Sequence, residues 1–429
     1  MTGMFQECNE LEYIDLSNFR TSNVTDMSYM FNECINIKQI KGIDSFNTIN
    51  ITNMKAMFQS CNELEYLDLS NFNTAHVTDM SFMFNECKKL KQIKGIDSFN
   101  TINVTNMKAM FQSCNELEYL DISKFNTSNV NDMKCIFFAY MKLKKILGID
   151  NFSTSNVKNM RSMFSNCNKL EYLDITNYNT IKVINMEYLF YGCNNLYEIK
   201  GIDKLNTSKV IYMKSMFEKC NKIHYLDLSN FNTNKVNDMS FMFNNCDKLE
   251  YLNLSNFNTS NVTDMKYMFS GCYKLKEING INNFNTINVV DMKAIFGGCG
   301  FLILDLTNFN TTNVKNMEGM FIECRKLKQI KGLNNFNTKN VTSMYVMFHN
   351  CNELEFLDLS NFNTSRVVNM SLMFGLCYKL KKIKGINNFN TINVTNMYEM
   401  FCDCKKLEYL DLSNFNTPLV TDMSLMFCG

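Results

Sequence analysis

The sequence predicts an α/β repeat solenoid of about 16 coils, each of 25–27 residues, with a parallel β-sheet on the concave side and short helices on the convex side. Cysteine returns at 8, 34, 61, 87, 114 and onward to 404 with a period of 25 to 27, missing one beat where Tyr140 stands in. Each repeat opens on the spacing LxxLxLxxF, as in Leu64, Leu67, Leu69 and Phe72. Each closes on apolar residues at i, i+3, i+6, i+7 and i+10, as in Val77, Met80, Met83, Phe84 and Cys87. So regular a period overrides the two or three domains that 429 residues would otherwise suggest, and 1–429 reads as one continuous solenoid.

The strand comes first in each coil. Leu67 and Leu69, two apart, point to one face and leave Tyr66 and Asp68 on the other. The turn SNFNTAH follows, and then the Met-Phe stripe, whose spacing is that of one face of a short helix. Asn23, with Asp26 three residues on, has the chemistry of a helix start, since a short polar side chain accepts from an exposed backbone N–H. Alone, so short a helix would not form in water, and stacking must supply its stability. Strands sit ~4.8 Å apart and packed helices about 8–10 Å, so true helices would bend the stack into an arc with the sheet inside.

Coils alternate between two forms. The first reads LEYLDLSNF at 64–72, and the second reads LKQIKGIDSF at 90–99, one residue longer. The extra residue next to Gly95 and its equivalents Gly42, Gly201, Gly332 and Gly385 suggests a bulge that re-aims the strand end. The alternation breaks once, where two coils of the first form follow each other at 223–231 and 249–257. Outward positions are Glu65, Tyr66 and Asp68 on the first form and Lys91, Gln92 and Lys94 on the second. Neighbouring strands thus set acid beside base, along Asp15, Lys41, Asp68, Lys94 and Asp121. The candidate binding face is this surface: Tyr13, Asp15, Tyr66, Asp68, Lys94, Tyr119, Asp121, Tyr172, Asp174, Tyr225, Asp227, Tyr251, Tyr409 and Asp411. Exposed tyrosine is the residue type that anchors interfaces.

Thr occupies one turn column in all sixteen complete coils, Thr21 and Thr48 through Thr417, usually preceded by Asn. Such a column reads as a ladder that satisfies the turn backbone; a flat water-ordering array is the other reading. The MxxM pairs (Met80 with Met83, Met239 with Met242) have the softness of metal ligands but lie beside Phe at core spacing, which makes them core filling. Fifteen cysteines recur once per coil, as small buried reduced thiols do. Cys402 and Cys428 differ: both directly follow an MF pair and share a column on adjacent coils. They would bridge if their Cα atoms lie within ~7 Å and would miss at helix–helix spacing.

No catalytic, metal or cofactor site is read from the sequence. His76, His224 and His349 occupy unrelated columns with no partner at a catalytic spacing. Lys plus Arg (43) nearly cancels Asp plus Glu (42), which argues against a chain built to hold nucleic acid. The apolar runs are too short for direct membrane insertion. The first residues, MTGMFQEC, read as the tail of a coil rather than a signal peptide, and MSLMFCG also stops inside a coil. Neither end carries the polar cap that a solenoid needs, so the chain is expected to be a piece of a longer protein.

The stretch 252–272, LNLSNFNTSNVTDMKYMFSGC, resembles the BspA-type leucine-rich-repeat surface proteins, and within them the variant widespread in mycoplasmas and long described as of unknown function. The likeness covers essentially the whole chain. It implies a right-handed leucine-rich-repeat solenoid at the cell surface or secreted, binding protein or glycan on another cell or matrix as an adhesin. An intracellular scaffold or structural spacer, with a cytoplasmic location, is the alternative, since no signal peptide or anchor is read in these residues. A water-ordering (ice-binding) Thr/Asn ladder is the third.

Overall fold

The computed structural model describes residues 1–429 and divides into two compact units, Met1–Val210 and Ile211–Gly429. Each is a solenoid of short parallel strands. In the first unit these are β1 (Tyr13–Asp15), β2 (Gln39–Lys41), β3 (Tyr66–Asp68), β4 (Gln92–Lys94), β5 (Tyr119–Asp121), β6 (Lys145–Leu147), β7 (Tyr172–Asp174) and β8 (Glu198–Lys200). In the second they are β9 (Tyr225–Asp227), β10 (Tyr251–Asn253), β11 (Glu277–Asn279), β12 (Ile303–Asp305), β13 (Gln329–Lys331), β14 (Phe356–Asp358) and β15 (Lys382–Lys384). The equivalent residues of the last repeat, 409–411, are not in a strand.

The inward residues behave as their period requires. Leu67, Leu69, Val77, Met80, Met83, Phe84 and Cys87 are all buried, so strand and Met-Phe segment share one core. Phe rings stack through that core from coil to coil. Phe31, Phe58, Phe84, Phe111 and Phe137 follow one another with centroids 5.6–6.1 Å apart and nearly parallel planes. Each such contact adds ~0.5–1.5 kcal/mol to the burial of the ring itself.

The expected convex helices are absent. Over residues 27–34 the backbone alternates between two kinds of bond. Tyr29, Phe31 and Glu33 donate to the carbonyls of Lys55, Met57 and Gln59 in the next coil, at 2.8–2.9 Å. Met30, Asn32 and Cys34 donate to the carbonyls of Met27, Tyr29 and Phe31 three residues back, at 3.1–3.3 Å. Tyr29 (φ 58°) and Glu33 (φ 62°) hold the third position of turns closed in this way, the type II geometry. The segment is a chain of overlapping turns that is also a ladder to its neighbour. Its physical reason is spacing: a ladder matches the ~4.8 Å step of the strands, whereas a helix cannot. Asn23 starts no helix; three residues on, the Asp26 carboxylate accepts from the Ser28 N–H (2.7 Å), and Asp26 bridges to Asn53 of the next coil.

The sheet is also not continuous. Strands are hydrogen-bonded as β1–β2, β3–β4, β5–β6 and β7–β8 in the first unit, and as β9–β10–β11, β12–β13 and β14–β15 in the second. Every sheet ends on a strand of the second form, and the one three-stranded sheet falls where two coils of the first form follow each other. The glycine explains the interruption. Gly95 (φ 85°) does not form a bulge; it ends the strand and opens a single 3-10 turn, Ile96–Ser98. A Cβ there would lie 2.5 Å from Ser70 Cα as well as in the left-handed region, so only glycine fits. Side chains tie the coils together across these steps. Asn71 donates to the Asp44 carbonyl (2.9 Å), while Thr48 Oγ1 donates to the Asn73 carbonyl (3.1 Å) and accepts from its N–H (2.7 Å).

The Thr column is therefore internal, with Thr21 through Thr391 at most 2 % exposed. It is a backbone-satisfying ladder; a water-ordering surface cannot be built from hydroxyls that water does not reach. Cys402 and Cys428 are bonded to each other, their Cα atoms 4.6 Å apart. That separation is a ladder spacing, and the helix spacing at which they would miss does not occur.

Candidate binding face

The outward side chains of the strands form one face in each unit. Tyr13, Tyr66, Tyr119, Tyr172 and Tyr225 are exposed there, Tyr251 is half-buried, and Tyr409 of the last repeat is exposed. Tyr225 and Tyr251 stack on each other with centroids 5.1 Å apart, as adjacent coils of the same form require. Asp68, Asp121, Asp174, Asp227 and Asp411 are half-buried beside them, and Asp15 and Lys94 are exposed.

In four of the hydrogen-bonded strand pairs the aspartate of the first form meets the lysine of the second. Lys41 reaches Asp15 (2.6 Å), Lys94 reaches Asp68 (2.7 Å), Lys200 reaches Asp174 (2.8 Å) and Lys384 reaches Asp358 (2.9 Å). A parallel row joins Lys38 to Glu12 (2.8 Å), Lys91 to Glu65 (2.7 Å) and Lys381 to Glu355 (2.6 Å). Acid and base thus pair forward only. Lys41 and Lys94 do not continue the series to Asp68 and Asp121, because the ladder is broken at those steps. The Lys94 hydrogen bond, with those of Ser70, holds the Asp68 carboxyl at about 2; Lys41 with Ser17 lowers Asp15 further, and Lys200 with Thr176 lowers Asp174 further.

Where the ladder breaks between β4 and β5, a groove of about 750 Å³ opens. Tyr119, Asp121, Lys94, Asp97 and Leu147 line it. The sequence reading placed Tyr119, Asp121 and Lys94 on this face but passed over Leu147 and Asp97. The signal was available: Leu147 stands in the column that carries Lys41, Lys94, Lys200, Lys331 and Lys384, with Asn279 the other departure from lysine.

The buried thiols of Cys87 and Cys193 do not offer a nucleophile. Cys87 donates to the Phe58 carbonyl (3.0 Å) and Cys193 to the Phe164 carbonyl (3.0 Å), and burial pushes both up to about 12. They stay protonated at neutral pH, and nucleophilic attack needs the thiolate. No three His, Cys, Asp or Glu side chains converge as metal ligands do. No helix is long and apolar enough to cross a membrane.

No curated protein matches the chain. Among solved structures it is similar to a leucine-rich repeat protein from Bacteroides ovatus, with 15 % identity, a TM-score of 0.45, and coverage of 95 % of this chain and 80 % of that one. A leucine rich cell surface protein from Faecalibacterium prausnitzii is 15 % identical with a TM-score of 0.33, covering 84 % of this chain and 86 % of that one. The pneumococcal vaccine antigen PcpA is 15 % identical with a TM-score of 0.32, covering 81 % and 74 %. One family model matches residues 1–95, 90–198, 162–278, 245–356, 273–382 and 342–429 in overlapping copies. With its whole length accounted for in this way, the chain belongs to the family described as Mycoplasma protein of unknown function, DUF285.

Proposed function

We propose that this chain is a non-enzymatic binding protein at a cell surface, and that its strand face is the platform that engages a protein or glycan partner. The observation that carries the reading is the exposed tyrosine column set among fixed acid–lysine pairs. Tyrosine supplies large contact area with only two rotatable side-chain bonds to order, and the ion pairs already hold their side chains in place, so little freedom is lost on binding. The same surface returns every second coil, which suits a long or repetitive partner. The Cys402–Cys428 bond supports an oxidising location, since disulfides are rare in reducing cytosol.

The test is capture of extracellular-matrix and cell-surface proteins and glycans by the chain and by a variant with Tyr66, Tyr119 and Tyr172 replaced by Ser. The variant should fold, because these side chains point away from the core, and should lose capture. Undiminished capture would show that the strand face is not the site.

A further inference from the structure

We propose that the groove between β4 and β5 is a subsite for an arginine side chain presented by a protein partner. The inference rests on the strand face being a binding surface and names what one part of it takes. Four of the charged side chains lining the groove are already committed inside the chain: Lys91 to Glu65 (2.7 Å), Lys94 to Asp68 (2.7 Å), Glu116 to Lys142 (2.6 Å) and Glu118 to Lys144 (2.8 Å). The two that remain outside any ion pair, Asp97 and Asp121, are both carboxylates. The groove therefore calls for a cation.

Asp121 is unpaired for a reason written in the repeat. Asp15, Asp68, Asp174 and Asp358 each face a lysine on the next strand, but the register partner of Asp121 is Leu147. Leu147 leaves 39 % of its surface exposed, an aliphatic side chain at the position where Lys41, Lys94, Lys200 and Lys384 place an ammonium. Asp121 keeps its charge, because the hydroxyl (2.6 Å) and N–H (3.0 Å) of Ser123 both donate to its carboxylate. Tyr119 is 64 % exposed and lines the same groove; the Lys144 ammonium, from the coil of β6, lies 5.9 Å from its ring centroid, so a further cation must use the opposite ring face, toward β4.

A carboxylate, an exposed aliphatic side chain and an aromatic ring together match one natural side chain best. Arginine brings a planar cation that pairs with a carboxylate and lies against an aromatic face, on a methylene stem that covers apolar surface. The compact lysine ammonium stays more strongly hydrated and lacks the flat face. A neutral sugar would leave both carboxylates uncompensated, and an anion would be repelled. The two strand edges are not hydrogen-bonded to each other across the groove, so the peptide groups flanking the arginine meet backbone donors and acceptors there.

The experiment titrates the full chain with the peptide acetyl-Gly-Ser-Arg-Ser-Gly-amide and with its citrulline counterpart, which keeps the shape and loses the charge. The methyl resonances of Ile93 and Ile96, beneath the groove, report binding. The arginine peptide should bind at least tenfold more tightly than the citrulline peptide. Leu147→Lys supplies the missing internal lysine and should weaken arginine binding tenfold or more, while the variant melts at or above the wild-type temperature; Asp121→Asn should weaken binding likewise. Equal binding of the two peptides, or arginine binding undiminished in Leu147→Lys, overturns the proposal. Self-association of the chain that Leu147→Lys abolishes would assign the groove to a second copy and also overturn it. A Tyr66→Ser, Tyr172→Ser variant spares the groove and so separates the two readings. If it loses partner capture while the arginine peptide fails to bind, the platform stands and this subsite falls.

Discussion

Lys94 on β4 donates to Asp68 on β3 across 2.7 Å, and neither residue makes the corresponding bond to the coil on its other side. Because the folded Asp68 carboxyl sits at about 2, below the ~3.9 of an unfolded chain, its contribution is complete above pH ~4 and is lost as the pH falls through about 2. Asp15, Asp174 and Asp358 are lowered in the same direction. Replacing these four by Asn should flatten the fall of stability between pH ~4 and 2. Denaturant melts at a series of acid pH values measure this, and an unchanged slope would contradict it.

The buried Thr ladder makes a sharper demand. Thr101 Oγ1 donates to the Asn126 carbonyl (2.9 Å) and accepts from the Asn126 N–H (2.7 Å). Thr101→Val keeps the shape but leaves both backbone groups unmatched, an expected loss of ~1–3 kcal/mol. Thr101→Ser keeps both bonds and should cost less. Equilibrium unfolding of the two variants gives the order directly.

In the Met-Phe segment two residues per coil bear a positive φ, and most are not glycine. Glu86 (φ 61°) shares its column with Gly192, Gly271 and Gly298 and with Asn166, Asn245 and Asn350, all at positive φ. The left-handed region costs an ordinary residue about 1–2 kcal/mol, and Asn enters it more readily. Its one ion pair, to Lys88 at 4.0 Å, is exposed and long. Glu86→Asn should therefore stabilise the chain, by up to ~1 kcal/mol, in the same unfolding measurement.

Alkali should act through the cysteines. Burial raises Cys87, Cys193 and Cys324 to about 12, against ~8.5 in an unfolded chain. The protonated thiol is the form the fold favours, so this contribution is intact below pH ~8.5 and is lost as the pH climbs toward 12. Replacing the three with Ala should flatten the alkaline fall of stability. In the native chain at pH ~8 they should resist thiol reagents until denaturant is added.

Much of this was legible in the sequence because the inward residues report burial regardless of backbone conformation. Leu67, Met80, Phe84 and Cys87 are core by spacing alone. The outer element was misread for the same reason: Met27, Met30, Phe31 and Cys34 face inward at i, i+3, i+4 and i+7 whether the chain is helical or a run of overlapping turns. Only the ~4.8 Å step between coils separates the two, and that is a property of the stack rather than of one repeat. The break between β4 and β5 was present in the spacing too, as the extra residue at Gly95, but its effect on hydrogen bonding is seen only in three dimensions. Leu147 shows the other limit, since its meaning comes from the aspartate opposite.

The glycine that closes each strand pair also sets how the chain can be lengthened or shortened. A cut after one such glycine and another 53 residues on, from Gly42 to Gly95 or from Gly95 to Gly148, removes a block whose two borders are chemically alike. Excising a lone second-form coil would instead bring first-form neighbours together, an arrangement already accommodated by Tyr225 and Tyr251. Excising a lone first-form coil would set lysine against lysine. Length in this molecule is thus editable in whole blocks, and asymmetrically in halves.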